Sequence, residues 1–193
     1  LLKHKVAKFT KRTQVKACLE NCRMYVGTVA TFSARTDIFQ FKQFDVAIIG
    51  AGIAGLALAN ALDNSGLKVV LLEAGPFKTD KPSTEKTLDG FDARVSALTL
   101  GSLQFLQRLG VWPAIEGLRN QYFDRMSVWD GEGTGSIEFN ASEIDSPELG
   151  YIVENRVLVY ALLENIALSG NVKLLDHAHI QEIQTLTELD GVK

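Results

Sequence analysis

Three glycines at fixed spacing and one later carboxylate are the residues of this chain best suited by type and position to bind a ligand. Gly50-Ala51-Gly52-Ile53-Ala54-Gly55 reads G-x-G-x-x-G, and Glu73 follows eighteen residues beyond Gly55. The glycine pattern alone is weak. Its flanks make it specific: an apolar run over residues 44–49 precedes it, and an Ala- and Leu-rich segment, Ile53–Leu62, follows. Such a turn suits phosphate. Gly50 permits the sharp exit from a strand, Gly52 puts no Cβ between the backbone and a pyrophosphate, and Gly55 lets a helix pack closely on the strands. The helix start, with Ile53 and Ala54, offers free N–H groups and the positive end of its dipole. Ala59 is small on the same inward face. Glu73, read as an exposed acid at a strand end, can accept two hydrogen bonds from ribose hydroxyls and would repel a 2′-phosphate. The plain alternative is a glycine turn between strand and helix with no ligand.

The elements that must position these residues are legible around them. Residues 44–49 (FDVAII) and 68–72 (KVVLL) are apolar on both faces, as buried parallel strands require. Asn64-Ser65-Gly66 stops the helix between them, which makes residues 44–73 a βαβ unit. Residues 74–91 read as a polar surface loop. Ser102 is placed to cap a helix carrying Leu103, Leu106 and Leu109, with Gly110 and Pro113 at its end. Residues 125–129 and 136–139 read as strands around a glycine-rich turn. Leu158, Ala161, Leu162 and Ile166 mark one face of a helix ending at Gly170. Residues 172–175 and 179–183 are further strands, and Asp190-Gly191 suggests a hairpin turn.

The wider stretch, with Gly50, Gly52, Gly55, Ala59, Leu62, Gly66, Val69 and Glu73 in register, resembles the ADP-binding fingerprint of FAD enzymes of the para-hydroxybenzoate hydroxylase type. Three later motifs narrow the resemblance: Phe91-Asp92-Ala93-Arg94-Val95-Ser96-Ala97-Leu98, Leu109-Gly110-Val111-Trp112, and Leu149-Gly150-Tyr151-Ile152-Val153-Glu154-Asn155. Together they resemble the ubiquinone-biosynthesis flavin hydroxylases, the octaprenylphenol hydroxylases of bacteria and their mitochondrial counterpart, over residues 44–193. The resemblance implies an FAD-dependent monooxygenase with a Rossmann-like FAD/NAD(P)-binding α/β fold, doubly wound, and the beginning of a second, substrate-binding sheet. It implies that Arg94 lies by the flavin, that Asn155 faces FAD, and that the backbone at Ile180 meets the adenine. Asn155 can equally cap its helix, and Arg94 can be a solvated surface residue.

On this reading residues 44–118 and 151–193 form an incomplete FAD-binding domain, and residues 119–150 start the substrate sheet. NAD(P)H would reduce FAD, and O2 would serve to hydroxylate an electron-rich phenol bearing a polyprenyl tail. So apolar a substrate implies work beside a membrane surface, or with other ubiquinone-biosynthesis proteins, in the cytoplasm or on the matrix side of the inner mitochondrial membrane. Family members continue beyond residue 193 into a second flavin motif and a ribityl-binding motif. The chain therefore reads as an N-terminal fragment, inactive by itself, in which no catalytic acid, base or nucleophile can be named; the flavin supplies the chemistry. Three rivals stay open: another FAD-dependent oxidase or dehydrogenase, an NAD-binding dehydrogenase, and a truncated non-catalytic nucleotide-binding product.

The rest of the sequence bounds these readings. Residues 1–43 carry nine Lys/Arg and two acids, whereas residues 44–193 carry eleven and twenty-one. The basic segment is expected outside the fold, as a mitochondrial targeting segment, a basic arm, or upstream sequence joined by a wrong start. The net charge of −3 gives no reason to expect nucleic acid, and no apolar run approaches a membrane span. Cys18 and Cys22 are too few for a disulfide scaffold, and no metal is expected of them or of His177 and His179, which would share a face if both lay on one strand. Trp112 and Trp129 are expected to pack.

Overall fold

A computed structural model describes residues 6–8, 13–18, 23–25, 32–33, 44–84 and 91–185. The hairpin turn expected at Asp190-Gly191, Cys22, and residues 85–90 of the polar stretch lie outside the described residues. The chain divides into two compact units: Leu1–Thr79 with Leu162–Lys193, and Asp80–Ala161.

The first unit is built on the βαβ segment. Strand β5 (Val46–Ile49), helix α1 (Ile53–Leu62) and strand β6 (Val69–Leu72) occupy the expected places, the helix to the residue. The two strands are almost wholly buried because nearly every side chain on both faces is aliphatic. β6 also pairs in parallel with β12 (Lys173–Asp176), giving three consecutive parallel strands, β5-β6-β12. Ala47, Val70, Leu72, Leu175 and Ala178 form a core cluster, with Phe44, Ile49 and Ile180 packed against it. α1 buries Gly55, Leu56, Ala59 and Asn60, one face at helical spacing.

Four short strands of the first 43 residues join this unit, although composition alone placed that segment outside the fold. β1 (Val6–Lys8) pairs antiparallel with β5, β3 (Arg23–Tyr25) pairs with β12 and with β4 (Phe32–Ser33), and β2 (Thr13–Cys18) pairs with β13 (His179–Thr185). The six-stranded order is β1-β5-β6-β12-β3-β4. A basic, acid-poor composition says nothing about pairing, which runs through backbone N–H and C=O groups, and β5, β12 and β13 offer edges for it.

The second unit centres on an antiparallel three-stranded sheet, β7 (Val95–Thr99), β11 (Gly150–Glu154) and β8 (Asn120–Phe123), in the order β7-β11-β8. This pairing groups residues 80–118 with 119–161, a different division from that read from the sequence. Helix α2 (Leu100–Arg108) starts earlier than expected: Thr99, not Ser102, is its cap, and the Thr99 hydroxyl accepts from the Ser102 N–H at 3.3 Å. A short helix α3 (Trp112–Glu116) follows, its first turn taking Pro113, where a missing N–H costs nothing. β9 (Arg125–Trp129) and β10 (Ser136–Asn140) form the expected hairpin. Helix α4 (Asn155–Ser169) belongs to this unit as far as Ala161 and to the first from Leu162 on; it buries Leu158, Ala161, Leu162 and Ile166 and stops before Gly170.

Candidate functional site

In the first unit the chain leaves β5 through Gly50, whose φ of 101° lies where only glycine sits without strain. The Gly50 N–H donates to the carbonyl of Leu72 at 2.8 Å, which holds the turn against the end of β6. Gly52 is extended (φ −77°, ψ 178°), so backbone conformation does not demand glycine there; space above the backbone is the remaining reason. Gly55 is demanded by contact. A Cβ on it would collide with the carbonyl oxygen of Gly50 and come within 3.5 Å of Ile48 Cγ2. α1 has no capping side chain and no acid in its first turn. Its leading amides, from half-buried Ile53 and exposed Ala54 onward, thus face the turn with their positive partial charge uncompensated by the helix itself.

Glu73 ends β6 beside this turn and is half-buried, not exposed. Its backbone is fixed on both sides, N–H to the Leu175 carbonyl at 2.9 Å and carbonyl from the Ala178 N–H at 2.8 Å. Its carboxylate accepts from the Ala51 N–H at 2.6 Å and from the Gly75 N–H at 3.2 Å, one amide to each oxygen. Each oxygen keeps a lone pair for another donor. The role of the Ala51 amide could not be read from residue types, because a backbone group carries no signature. Ile180 packs against the core cluster and lies opposite Ala17 in β2. A half-buried carboxylate, an uncapped helix start and a turn with no room for a Cβ at position 55 fit the ribose and pyrophosphate of an ADP group.

In the second unit two distant motifs meet. β7 and β11 run side by side with Glu154 opposite Val95, and the Asn155 N–H donates to the Arg94 carbonyl at 2.9 Å. Ser96 Oγ donates to Asn155 Oδ1 at 2.6 Å, so that oxygen answers a neighbouring strand. Arg94 has an exposed side chain, and its N–H donates to Asp92 Oδ1 at 3.0 Å. Gly150 reflects packing: a Cβ there would collide with the Leu98 carbonyl oxygen. Burial, with the nearby Glu148 carboxylate, raises the Tyr151 hydroxyl above its ordinary range.

Two expectations need correction. His177 has a φ of 51° and precedes β13, so it does not share a strand face with His179; it lies 3.8 Å from Asp176. Trp112 is buried and meets Tyr151 edge-on at 4.9 Å, as a packing residue should, but Trp129 is 73% exposed on the hairpin. Among the described residues no helix is long and apolar enough to cross a membrane.

Strand, glycine turn, helix and acid-tipped strand form a βαβ unit of the dinucleotide-binding kind, and the family model described as FAD dependent oxidoreductase matches residues 45–84. The chain is, more particularly, homologous to the monooxygenases of ubiquinone biosynthesis. It is 38% identical over 137 residues to the mitochondrial ubiquinone biosynthesis monooxygenase of Rattus norvegicus, covering 68% of this chain and 28% of that protein. It is 35% identical over 133 residues to the 3-demethoxyubiquinol 3-hydroxylase of Escherichia coli, covering 67% and 32%. The chain thus spans about a third or less of these relatives' length. The fold is shared with the probable FAD-dependent monooxygenase PqsL of Pseudomonas aeruginosa, at a TM-score of 0.54 and 21% identity over 72% of this chain and 34% of that one.

Proposed function

We propose that this chain is the flavin-binding portion of an aromatic-ring hydroxylase of ubiquinone biosynthesis, acting on a polyprenylated phenol with NAD(P)H and O2. The observation that carries the reading is the Glu73 carboxylate held at the Ala51 amide, beside a helix start with no negative charge of its own. Bound FAD would supply the redox and oxygen chemistry. The protein's share is binding and orientation. Amides at the start of α1 neutralise the pyrophosphate, Gly52 lets it approach the backbone, and Glu73 turns its remaining lone pairs to the adenosine ribose. Arg94 and Asn155 orient the flavin end, and the backbone at Ile180 meets the adenine. Within residues 119–150, the amphipathic hairpin of β9 and β10 supports residues 125–140 as the start of a substrate sheet. Met126, Val128, Ile137 and Phe139 make one exposed apolar face, while Arg125 and Glu138 pair at 3.1 Å on the other.

The match over 137 residues, beyond the 45–84 segment common to many FAD enzymes, favours the hydroxylase over another oxidase or dehydrogenase. The test is fluorescence titration of the chain with FAD, with ADP, NAD and riboflavin as competitors. FAD should bind and ADP should displace it, with riboflavin and NAD much weaker. Binding of NAD in preference to FAD would overturn the reading.

A further inference from the structure

The Phe91–Arg94 segment has no strand or helix of its own to hold it, yet it is fixed at several points. The point of origin is Glu154, the last residue of β11 and buried to 4% exposure. Its carboxylate pairs with Arg119 Nε at 3.0 Å and Arg156 Nε at 2.6 Å, and accepts from the Asp92 backbone N–H at 3.2 Å. The Arg119 guanidinium, itself buried, also lies 4.5 Å from the centre of the Phe91 ring. Glu154 and Arg119 therefore grip neighbouring residues, one by a backbone amide and one by a ring. From Asp92 the constraint passes on: its Oδ1 accepts from the Arg94 N–H, and the Arg94 carbonyl accepts from the Asn155 N–H.

We propose that the buried Arg119–Glu154 pair is a positioning element for the segment carrying Arg94, setting where that exposed guanidinium is presented. Two charges are rarely buried together without exact partners, since each must recover the hydration it loses. Here one of the carboxylate's remaining lone pairs is filled by a loop amide, which ties the segment to the pair. The consequence for flavin binding rests on the proposed function; the consequence for the segment does not.

The experiment uses Arg119→Met/Glu154→Leu, in which apolar side chains of similar volume replace the pair and the fold is expected to survive. Without any nucleotide, amide hydrogen exchange over residues 91–96 should rise about ten-fold, the effect of losing one hydrogen bond to a charged group, while β5, β6 and α1 stay unchanged. With nucleotide, FAD affinity should fall by about ten-fold and the visible circular dichroism of bound flavin should change, whereas ADP affinity should not. Phe91→Ala, which removes an exposed ring, is the second variant and should loosen the same residues to a smaller degree. Glu138→Gln, on the exposed hairpin pair, should do neither. Wild-type exchange over residues 91–96 in both variants would overturn the proposal. Faster exchange in the variants, with a wild-type chain that binds no FAD, would instead count against the proposed function alone.

Discussion

Glu73 is the residue at which stability and binding meet. Its carboxylate serves two backbone amides, so truncation removes two charge-assisted hydrogen bonds as well as the proposed ribose acceptor. Glu73→Ala should weaken FAD binding by about ten- to a hundred-fold, and riboflavin or FMN binding much less. It should also lower stability by roughly 1–3 kcal/mol, measured by urea denaturation alongside flavin titration. Equal losses for FAD and FMN would mean that Glu73 acts through the turn and not through the ribose. At Gly55 the sign of a prediction is decided by contact. A helix-interior Gly→Ala change ordinarily gains roughly 0.5–1 kcal/mol. Here the added Cβ meets the Gly50 carbonyl, and overpacking costs about 1–3 kcal/mol, so Gly55→Ala should lower the urea midpoint.

At the scale of elements, the two tryptophans show what pattern alone misses. Trp112 opens a short helix and is buried against Tyr151, while Trp129 ends a hairpin strand in solvent. Trp112→Ala should cost about 3–5 kcal/mol. Trp129→Ser should stay within about 0.5 kcal/mol. Acrylamide quenching should report Trp129 as open and Trp112 as shielded; equal quenching would contradict this placement. Hydrophobicity alone could not separate the two, since both lie in short segments and burial depends on what packs from elsewhere. Periodicity did succeed for α4, where the buried face is repeated over several turns. It failed for the cap of α2, because Thr99 and Ser102 are both capping residues and only the backbone decides which hydroxyl accepts. The interhelical contact of Asn60 was equally silent in the sequence: its Nδ2 donates to the Leu162 carbonyl of α4 at 2.9 Å, besides the Leu56 carbonyl of its own helix at 2.8 Å.

At the scale of the whole molecule, the chain spans about a third or less of its hydroxylase relatives, and its activity must be judged on that length. Residues 1–193 with FAD, NAD(P)H, O2 and a polyprenylphenol should yield no hydroxylated product by mass spectrometry, while peroxide accumulates from the poorly enclosed flavin. Hydroxylated product would show that the described units suffice. The sequence by itself determined the βαβ unit, the glycine turn and the acid that follows, because these depend on contacts within thirty residues and on backbone needs that only particular residue types meet. It also carried the likeness to FAD hydroxylases, through motifs whose order survives without a structure. Only the tertiary structure decided that strands from the basic first segment pair with the sheet. It alone brought Arg94 to the amide of Asn155, and gathered Asp92 and Arg119 around the buried carboxylate of Glu154. Strand pairing and buried ion pairs join residues far apart in the chain, and their partners are set by the packing of the whole unit, which no local pattern encodes.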